Sequence, residues 1–277
     1  MTDTRTINLP SGGTLNVSVD GPKGAPWLVF SNSVMTDLSI WDAQVEALKE
    51  TYRVLRYDQR GHGASSLPEG PMDFTGYGAD VIALLDALEV TRCTFIGLSM
   101  GVPAGLAAFT AASDRFERFI AVDGVSRSAP GREVFWEERR NTARANGMDA
   151  IAEGTASRWM PGAHEDAPET ARLKAMIAAT PVEGFAAATY ALANYDHSAV
   201  VPMLDCPFLA ITGEKDGAMP DAMRKQFGAV PGGQFVNIPG VGHLPNLQTP
   251  EAFNSALIAF LDATNSKIST DNPKESH

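Results

Sequence analysis

A serine flanked by glycines is the feature of the sequence most suited to chemistry: Gly97-Leu98-Ser99-Met100-Gly101. An apolar run over residues 92–96 precedes it, and a helical pattern from Pro103 to Ala112 follows. A serine on a sharp turn between a strand and a helix exposes its hydroxyl, and its neighbours two positions away must be small. The same five residues can also form a tight turn that has no catalytic role. The strand–turn–helix setting predicts that Ser99 is a nucleophile.

His243 is the histidine best placed to activate this serine, which is a poor nucleophile until a base removes its proton. It ends the Gly-rich loop 239–243, between a predicted strand and the last predicted helix. Such a loop can bring an imidazole over the end of a parallel sheet, where the sites of α/β proteins lie. A loop histidine without a catalytic role is the alternative. The other histidines lack this setting; they are His62, His164, His197 and His277.

Asp216 is the carboxylate predicted to orient His243 and to stabilise its charge. It lies just beyond the predicted strand Phe208–Ile211. Two other carboxylates stay open as alternatives, because triads are recognised by geometry and not by position. They are Glu214, which is close by in the chain, and Asp123, at the end of the preceding predicted strand.

Two backbone N–H groups are predicted to stabilise the negative oxygen of a tetrahedral intermediate. One belongs to Met100, the residue after the nucleophile. The other comes from the loop after the predicted strand Trp27–Phe30, where counting back from Trp41 selects Val34. An ordinary polar loop between a strand and a helix is the alternative for this segment.

Short apolar runs alternate with longer helical patterns, which is typical of a mostly parallel sheet wrapped by helices. Seven runs are predicted as strands: Thr14–Val19, Trp27–Phe30, Arg53–Tyr57, Cys93–Ile96, Arg118–Val122, Phe208–Ile211 and Gln234–Ile238. Five patterns are predicted as helices around this sheet: Ile40–Glu50, Gly78–Leu88, Met100–Ala112, Asp221–Phe227 and Glu251–Leu261.

The segment from Ser126 to Pro202 interrupts this alternation with helical stretches alone. They are predicted at Glu133–Asn146, Asp149–Trp159, Glu169–Ala178 and Glu183–Tyr195. An all-helical insertion between two strands predicts a lid over an active site. We therefore assign residues 1–125 and 203–263 to a core domain and residues 126–202 to the lid. Residues 264–277 are polar, and we predict that they form a disordered tail.

Composition narrows the class of protein. The chain has 277 residues, 44% of them hydrophobic, and a formal net charge of −11, which argues against nucleic-acid binding. No apolar stretch is long enough to span a membrane, and residues 1–10 are too polar for a signal peptide, so we expect a cytoplasmic protein. Its oligomeric state stays open between a monomer and a homo-oligomer. Cys93 and Cys206 are predicted to be buried thiols. No cluster has metal-ligand spacing, and we expect neither a metal nor a cofactor.

Several segments together resemble the 3-oxoadipate enol-lactonases of the α/β-hydrolase fold family, over about residues 14–261. They are Ser31-Asn32-Ser33, Tyr57–Gly63, Gly97–Gly101, Asn146–Met148, Arg158–Met160 and the spacing from Trp136 to Arg139. The resemblance implies the α/β-hydrolase fold: an eight-stranded, mostly parallel sheet flanked by helices, with the lid inserted after the sixth strand. It also implies hydrolysis of an enol-lactone in the bacterial breakdown of aromatic compounds.

Some positions depart from that family. Val34-Met35 stands where a Leu-Gly pair is usual, Val102 replaces a glycine, and Asp123-Gly124 replaces an Asn-Thr pair. We expect Met35 to narrow the acyl end of the pocket and Val102 to change the packing beneath the serine. These departures concern the substrate, and they leave the hydrolytic residues intact.

A substrate that carries a carboxylate needs a cation in the pocket, preferably an arginine. The lid supplies five: Arg127, Arg132, Arg139, Arg140 and Arg158. The resemblance favours Arg139 for the carboxylate, with Trp136 and Trp159 forming a wall. A solvated face of the lid is the alternative for each arginine.

We therefore expect a serine hydrolase that cleaves an ester-type bond of a small molecule through an acyl-enzyme. The resemblance selects 3-oxoadipate enol-lactone as substrate. A general carboxylesterase, a perhydrolase or another lactonase would use the same residues and stays open. A non-catalytic ligand-binding protein is the more distant alternative, because such proteins tend to lose a member of the triad.

Overall fold

Eight strands form one sheet in the computed structural model, which describes residues 3–270. In chain order they are β1 (Asp3–Asn8), β2 (Thr14–Asp20), β3 (Trp27–Ser31), β4 (Arg53–Tyr57), β5 (Cys93–Leu98), β6 (Phe116–Val122), β7 (Phe208–Gly213) and β8 (Gln234–Ile238). Their order across the sheet is β1-β2-β4-β3-β5-β6-β7-β8. Strand β2 pairs antiparallel with β1 and β4, and all the other pairs are parallel. This is the α/β-hydrolase fold that the sequence predicts.

The central strands lack apolar–polar alternation because both faces of the sheet are covered. Every residue of β5 and β7 is buried. In β3, Leu28 and Phe30 belong to one apolar cluster, whereas Val29 belongs to the cluster on the other side. The sheet therefore separates two apolar layers, and the carboxyl ends of its parallel strands meet at one edge.

Strand β1 is absent from the seven strands placed from the sequence, although the fold class requires eight. It lies at the edge of the sheet, five of its six residues are exposed, and it pairs only with β2. An edge strand in contact with water has no apolar run to reveal it. The other strands begin and end within two residues of their predicted positions.

In the described part of the chain, six α-helices surround the sheet, and four more lie between β6 and β7. The first six are α1 (Asp42–Leu48), α2 (Phe74–Ala87), α3 (Gly101–Ala111), α8 (Met219–Phe227), α9 (Pro245–Gln248) and α10 (Pro250–Thr270). The four between β6 and β7 are α4 (Arg132–Asn146), α5 (Asp149–Trp159), α6 (Pro168–Ala179) and α7 (Val182–Ala193). The insertion of helices after the sixth strand is as predicted, and the predicted lid limits of 126 and 202 fall in the segments that flank them.

Two helix ends differ from the predictions by more than two residues. Helix α2 begins at Phe74 and not at Gly78, because the Asp73 carboxylate accepts a hydrogen bond from the N–H of Gly76 at 2.8 Å and caps the helix. Helix α10 continues to Thr270, so a disordered tail does not begin at Thr264. Thr264 is buried, and its hydroxyl accepts a hydrogen bond from Arg118 at 2.6 Å, which holds this turn of the helix. Residues 271–277 of the predicted tail lie outside the described residues.

Within residues 3–270, no single helix is both apolar and long enough to cross a membrane. Helices α6 and α7 reach the required length and composition only as a pair bent by 95°.

Candidate active site

Ser99 lies on the turn between β5 and α3 in a strained backbone conformation. Its φ of 52° is in the left-handed region, which residues other than glycine rarely adopt. Its N–H donates to the carbonyl oxygen of Val122 at 2.8 Å, so the turn is fixed to the end of β6. The hydroxyl-bearing residue is thereby presented at the carboxyl edge of the sheet.

The flanking glycines are required by the close approach of backbone segments. A Cβ atom on Gly97 would lie 2.5 Å from the carbonyl oxygen of Gly101. A Cβ atom on Gly101 would lie 2.5 Å from the carbonyl oxygen of Ser31, in the neighbouring strand β3. The glycines at both positions of the motif therefore let strand, turn and helix pack together, as the sequence predicts.

His243 and Asp216 are hydrogen-bonded to each other. The distance from His243 Nδ1 to Asp216 Oδ2 is 2.6 Å. Burial favours the protonated form of Asp216, but the charge and hydrogen bond of His243 outweigh it and leave the pKa of Asp216 below its ordinary value. Asp216 is thus held as a carboxylate bonded to Nδ1 of His243, and within the described residues the other ring nitrogen, Nε2, has no hydrogen-bond partner.

The two other carboxylates considered from the sequence lie in different settings. Glu214 is exposed, and its Oε2 accepts a hydrogen bond from the N–H of Gly240 at 2.8 Å. Asp123 is fully buried beside Asp216, and its carboxyl group accepts hydrogen bonds from the N–H of Gly213 at 3.1 and 3.2 Å. The carboxylate that contacts His243 is therefore Asp216.

Asp123, Asp216 and His243 each offer a donor atom within 4.8 Å of the others, which is spacing a metal ion could use. However, the Nδ1 of His243 and the Oδ2 of Asp216 already bond to each other. Their geometry is that of an acid–histidine pair.

The loop after β3 is held by hydrogen bonds from buried side chains. The Asn32 amide donates to the carbonyl oxygen of Tyr57 at 2.9 Å and accepts from the indole N–H of Trp41 at 2.9 Å. The Gln59 amide donates to the carbonyl oxygen of Asn32 at 2.6 Å. Within the described residues, no acceptor is bonded to the backbone N–H of Val34 or of Met100. Both groups are thus available to donate to a ligand.

A cavity of about 400 Å³ lies over this edge of the sheet. Six of the residues predicted to act at the site line it: Val34, Ser99, Trp136, Trp159, Asp216 and His243. In the described part of the chain, no hydrogen bond joins the Ser99 hydroxyl to His243. Hydrogen bonds between a nucleophile and its base are often long in the free enzyme and shorten only when substrate binds. Six of the nine site residues predicted from scattered positions of the sequence therefore share one cavity.

Met35 and Arg139 were predicted to bind substrate, but they are not among the residues that line this cavity. Met35 is fully buried in the apolar core beneath the loop, with a φ of 63°. Arg139 lies behind the cavity wall, where its Nη2 donates to the hydroxyl of Thr155 at 2.5 Å. Tertiary packing decides where the side chains of Met35 and Arg139 lie, and the resemblance in sequence does not specify that packing.

Three lid arginines surround the ring of Phe135. The guanidinium carbons of Arg132, Arg139 and Arg158 lie 4.1, 5.5 and 5.7 Å from the ring centroid. Within residues 3–270, no carboxylate lies within 4.0 Å of these guanidinium groups. Burial, together with the charges of Arg158 and Arg132, lowers the pKa of Arg139 to about 10. In the described part of the chain, no carboxylate forms an ion pair with this cluster of like charges, so it favours an anion beside it.

Arg132, Arg158 and Arg127 line the cavity directly. All five lid arginines are candidates from the sequence, and the resemblance favours Arg139. The spacing of Arg132 and Arg139, two turns apart on α4, places both on one face without telling which reaches the cavity. That choice is decided by the packing of α4 against α5.

The loop that carries His243 is fixed between the sheet and the end of helix α5. The N–H of His243 donates to the carbonyl oxygen of Trp159 at 2.8 Å. A Cβ atom on Gly242 would lie 2.5 Å from that same oxygen and 2.3 Å from Cδ of Pro161. The lid and His243 are therefore in direct contact.

His62 lies in a Gly-rich turn after β4 and has a structural setting. It is buried, its Nδ1 lies 3.2 Å from the carbonyl oxygen of Arg60, and burial lowers its pKa to about 4. It is therefore neutral near pH 7, and it is not among the residues that line the cavity.

Comparison with known proteins agrees with this architecture. Residues 24–256 match the model of the alpha/beta hydrolase family. The chain is 34% identical over 262 residues to 3-oxoadipate enol-lactonase 2 of Acinetobacter baylyi, covering 91% of this chain and 94% of that protein. It is 33% identical to the crystal structure of the enol-lactonase from Burkholderia xenovorans, with a TM-score of 0.87 and coverage of 93% and 100%. A thermophilic esterase from Thermogutta terrifontis, solved with malate bound, is 28% identical, with a TM-score of 0.87 and coverage of 94% and 98%. The chain therefore belongs to the alpha/beta hydrolase family and is an ester-hydrolysing enzyme.

Proposed function

We propose that this enzyme is a serine hydrolase that opens a small lactone or ester carrying a carboxylate. The observation that carries the proposal is the shared cavity: Ser99 and the bonded pair His243–Asp216 line it together with arginines that have no carboxylate partner in the described residues. A nucleophile and its base define the reaction, while the arginines define the charge of the substrate.

In the proposed reaction, His243 Nε2 takes the proton of the Ser99 hydroxyl as its oxygen attacks the carbonyl carbon. The charge that forms on the imidazole is stabilised by Asp216. The negative oxygen of the tetrahedral intermediate accepts hydrogen bonds from the N–H groups of Val34 and Met100. These roles are supported by the 2.6 Å contact of the acid–histidine pair and by the unbonded N–H groups of the loop and the turn.

The intermediate then collapses. The bond from the carbonyl carbon to the leaving oxygen breaks, and His243 returns the proton to that oxygen. With a lactone, both halves stay in one molecule, which is held as an ester on Ser99. Water attacks this ester with His243 as base, releasing a carboxylic acid and the free Ser99 hydroxyl.

The substrate we propose is 3-oxoadipate enol-lactone, in the breakdown of aromatic compounds. The reason is that two relatives, each about one-third identical in sequence, are named 3-oxoadipate enol-lactonase. Its carboxylate would pair with Arg132 and Arg158 at the cavity wall, and Trp136 and Trp159 would contact its ring. The malate in the Thermogutta terrifontis esterase is a carboxylate ligand in a related structure, which supports an anionic substrate here.

The test is to assay the purified protein on the enol-lactone, on a saturated lactone and on neutral aryl esters. We expect the highest kcat/KM on the enol-lactone, and loss of all three activities in Ser99→Ala. Hydrolysis of aryl esters without turnover of the enol-lactone would support a general carboxylesterase and remove the proposed substrate. Undiminished activity of Ser99→Ala would remove the proposed mechanism.

A further inference from the structure

Two carboxyl groups lie side by side behind the imidazole of His243. Asp123 directly follows β6 and Asp216 follows β7, and an oxygen of each lies within 4.8 Å of the other and of a His243 nitrogen. Asp123 is completely buried, and its φ of 39° is in the left-handed region, where aspartate and asparagine are tolerated better than most residues. The reaction proposed above uses Asp216 and leaves Asp123 without a role.

The charges around Asp123 determine its protonation. Two charged or titratable groups face the pair of Asp123 and Asp216: His243 from the loop after β8, and Arg158 from α5, whose charge acts on Asp216. Within residues 3–265, no cation lies within 4.0 Å of the Asp123 carboxyl group. A fully buried carboxylate cannot be ionised so close to a second, half-buried carboxylate without a large penalty, so one of the two keeps a proton. Asp216 bonds to His243, which leaves the proton on Asp123.

The electrostatics agree with that assignment. Burial, followed by the charge of Asp216, raises the pKa of Asp123 well above its ordinary value, while the pKa of Asp216 is lowered. A hydrogen bond between the two carboxyl groups contributes to both shifts, in the sense of Asp123 as donor and Asp216 as acceptor.

We propose that Asp123 is a positioning residue: as a neutral acid it donates its O–H to Asp216 and orients that carboxylate toward Nδ1 of His243. The N–H of Gly213, which donates to Asp123, fixes the group from behind. Asp123 thus acts on the reaction through Asp216. The inference rests on the proposed roles of Asp216 and His243 but not on the identity of the substrate.

Two variants separate the effect of the hydrogen-bond donor of Asp123 from the effect of its side chain as a whole. Asp123→Asn keeps an N–H donor and a neutral group, and Asp123→Gly removes the side chain; both residues accept a positive φ. With a neutral aryl ester, we expect Asp123→Asn to keep kcat within about threefold of the parent. We expect Asp123→Gly to lower kcat by about 10- to 100-fold, the effect of losing one hydrogen bond to a charged group, with KM nearly unchanged.

The pH profile gives a readout that a purely structural role would not move. Without the donor, Asp216 becomes a stronger acceptor for the protonated imidazole, so the acidic limb of kcat/KM moves to higher pH in Asp123→Gly. In Asp123→Asn the limb stays in place. Equal losses of kcat in both variants, with no displacement of the limb in either, would overturn the proposal.

Stability against pH tests the proton itself, without any assay of activity. In the unfolded chain Asp123 ionises near pH 4, whereas the folded protein keeps it protonated, so folding takes up a proton as the pH rises above that value. The parent therefore loses stability as the pH rises above 4, whereas Asp123→Asn does not lose it for this reason. The ratio of the unfolding constant of Asp123→Asn to that of the parent should fall by up to about tenfold per pH unit, from pH 4 up to the pKa of Asp123 in the folded protein. A ratio that does not change between pH 4 and 8 would show that Asp123 is ionised and would contradict the proposal.

These outcomes are separable from failure of the proposed function. Full activity in Ser99→Ala would remove the serine mechanism, while the stability measurement on Asp123→Asn would still report the protonation of Asp123. If Asp123→Gly does not fold, Asp123→Asn alone decides between the alternatives.

Discussion

The indole of Trp159 lies against the imidazole of His243, with ring centroids 4.9 Å apart and ring planes at 38°. The two residues are also joined through their backbones by the 2.8 Å bond from the N–H of His243. The last residue of helix α5 therefore contacts the proposed base at both its ring and its main chain. The end of this helix is part of what holds the imidazole, as well as a wall of the cavity.

Gly242→Ala should disturb this contact. Its Cβ atom would clash with Trp159 and Pro161, so the loop or the end of α5 must shift. We expect kcat to fall by about 100-fold, because small misplacements of a catalytic group have effects of this order. Steady-state kinetics on a neutral ester measure it. Gly70→Ala, at an exposed position with no atom within 4 Å, is the matched control and should leave kcat unchanged. Parental kcat in Gly242→Ala would contradict the coupling.

Gly101→Ala should destabilise the turn that carries Ser99. The added carbon would lie 2.5 Å from the carbonyl oxygen of Ser31, and overpacking of this kind costs about 1–3 kcal/mol. Urea unfolding measures the loss. Gly154→Ala on the exposed face of α5 is the control, where the free energy of unfolding should rise by about 0.5–1 kcal/mol because alanine favours the helix. Equal stability of Gly101→Ala and the parent would mean that the backbone approach is looser than described.

Arg132→Gln and Arg158→Gln should weaken the binding of an anionic substrate. Each removes a charged hydrogen-bond donor worth about 1.5–3 kcal/mol, so KM for a carboxylate-bearing ester should rise by about 10- to 100-fold. A neutral ester of the same alcohol should be affected by less than about threefold. Arg144→Gln is the control on α4, the helix that carries Arg132, because Arg144 pairs with Glu183 at the surface. Equal effects on both esters would argue against an anion site.

Asp216→Asn should reduce kcat by about 1,000- to 10,000-fold, because an amide cannot stabilise the protonated imidazole. The control is Glu214→Gln, since Glu214 is exposed and bonds to the loop backbone. Its kcat should stay within about threefold of the parent. Rate measurements that gave Glu214→Gln the larger loss would reverse the assignment of the acid.

The sequence was enough to predict the strands of the sheet interior, because residues such as Leu28, Val29 and Phe30 are apolar whichever face they cover. It was also enough for the turn at Ser99, where two glycines mark a close approach of backbones. Strand β1 was not predicted, because a strand at an exposed edge of the sheet needs no apolar pattern in its sequence.

The cavity wall could not be predicted in the same way. Arg132, Arg139 and Arg158 are alike in charge and helical setting, and only the packing of α4 on α5 turns Arg139 toward Thr155 and leaves the other two at the cavity. The same holds for Asp123 and Asp216, which follow neighbouring strands. Only the register of β6 and β7 and the course of the following loop decide which of them meets His243.

The role of Ser99 is tested most directly by labelling with a fluorophosphonate, which reacts with a serine hydroxyl activated by a neighbouring base. The labelled protein is digested, and the modified peptide is identified by mass spectrometry. We predict a single adduct on Ser99, absent from Ser99→Ala and formed far more slowly in His243→Ala. An adduct on another residue, or labelling of Ser99→Ala at the parental rate, would contradict the proposed mechanism.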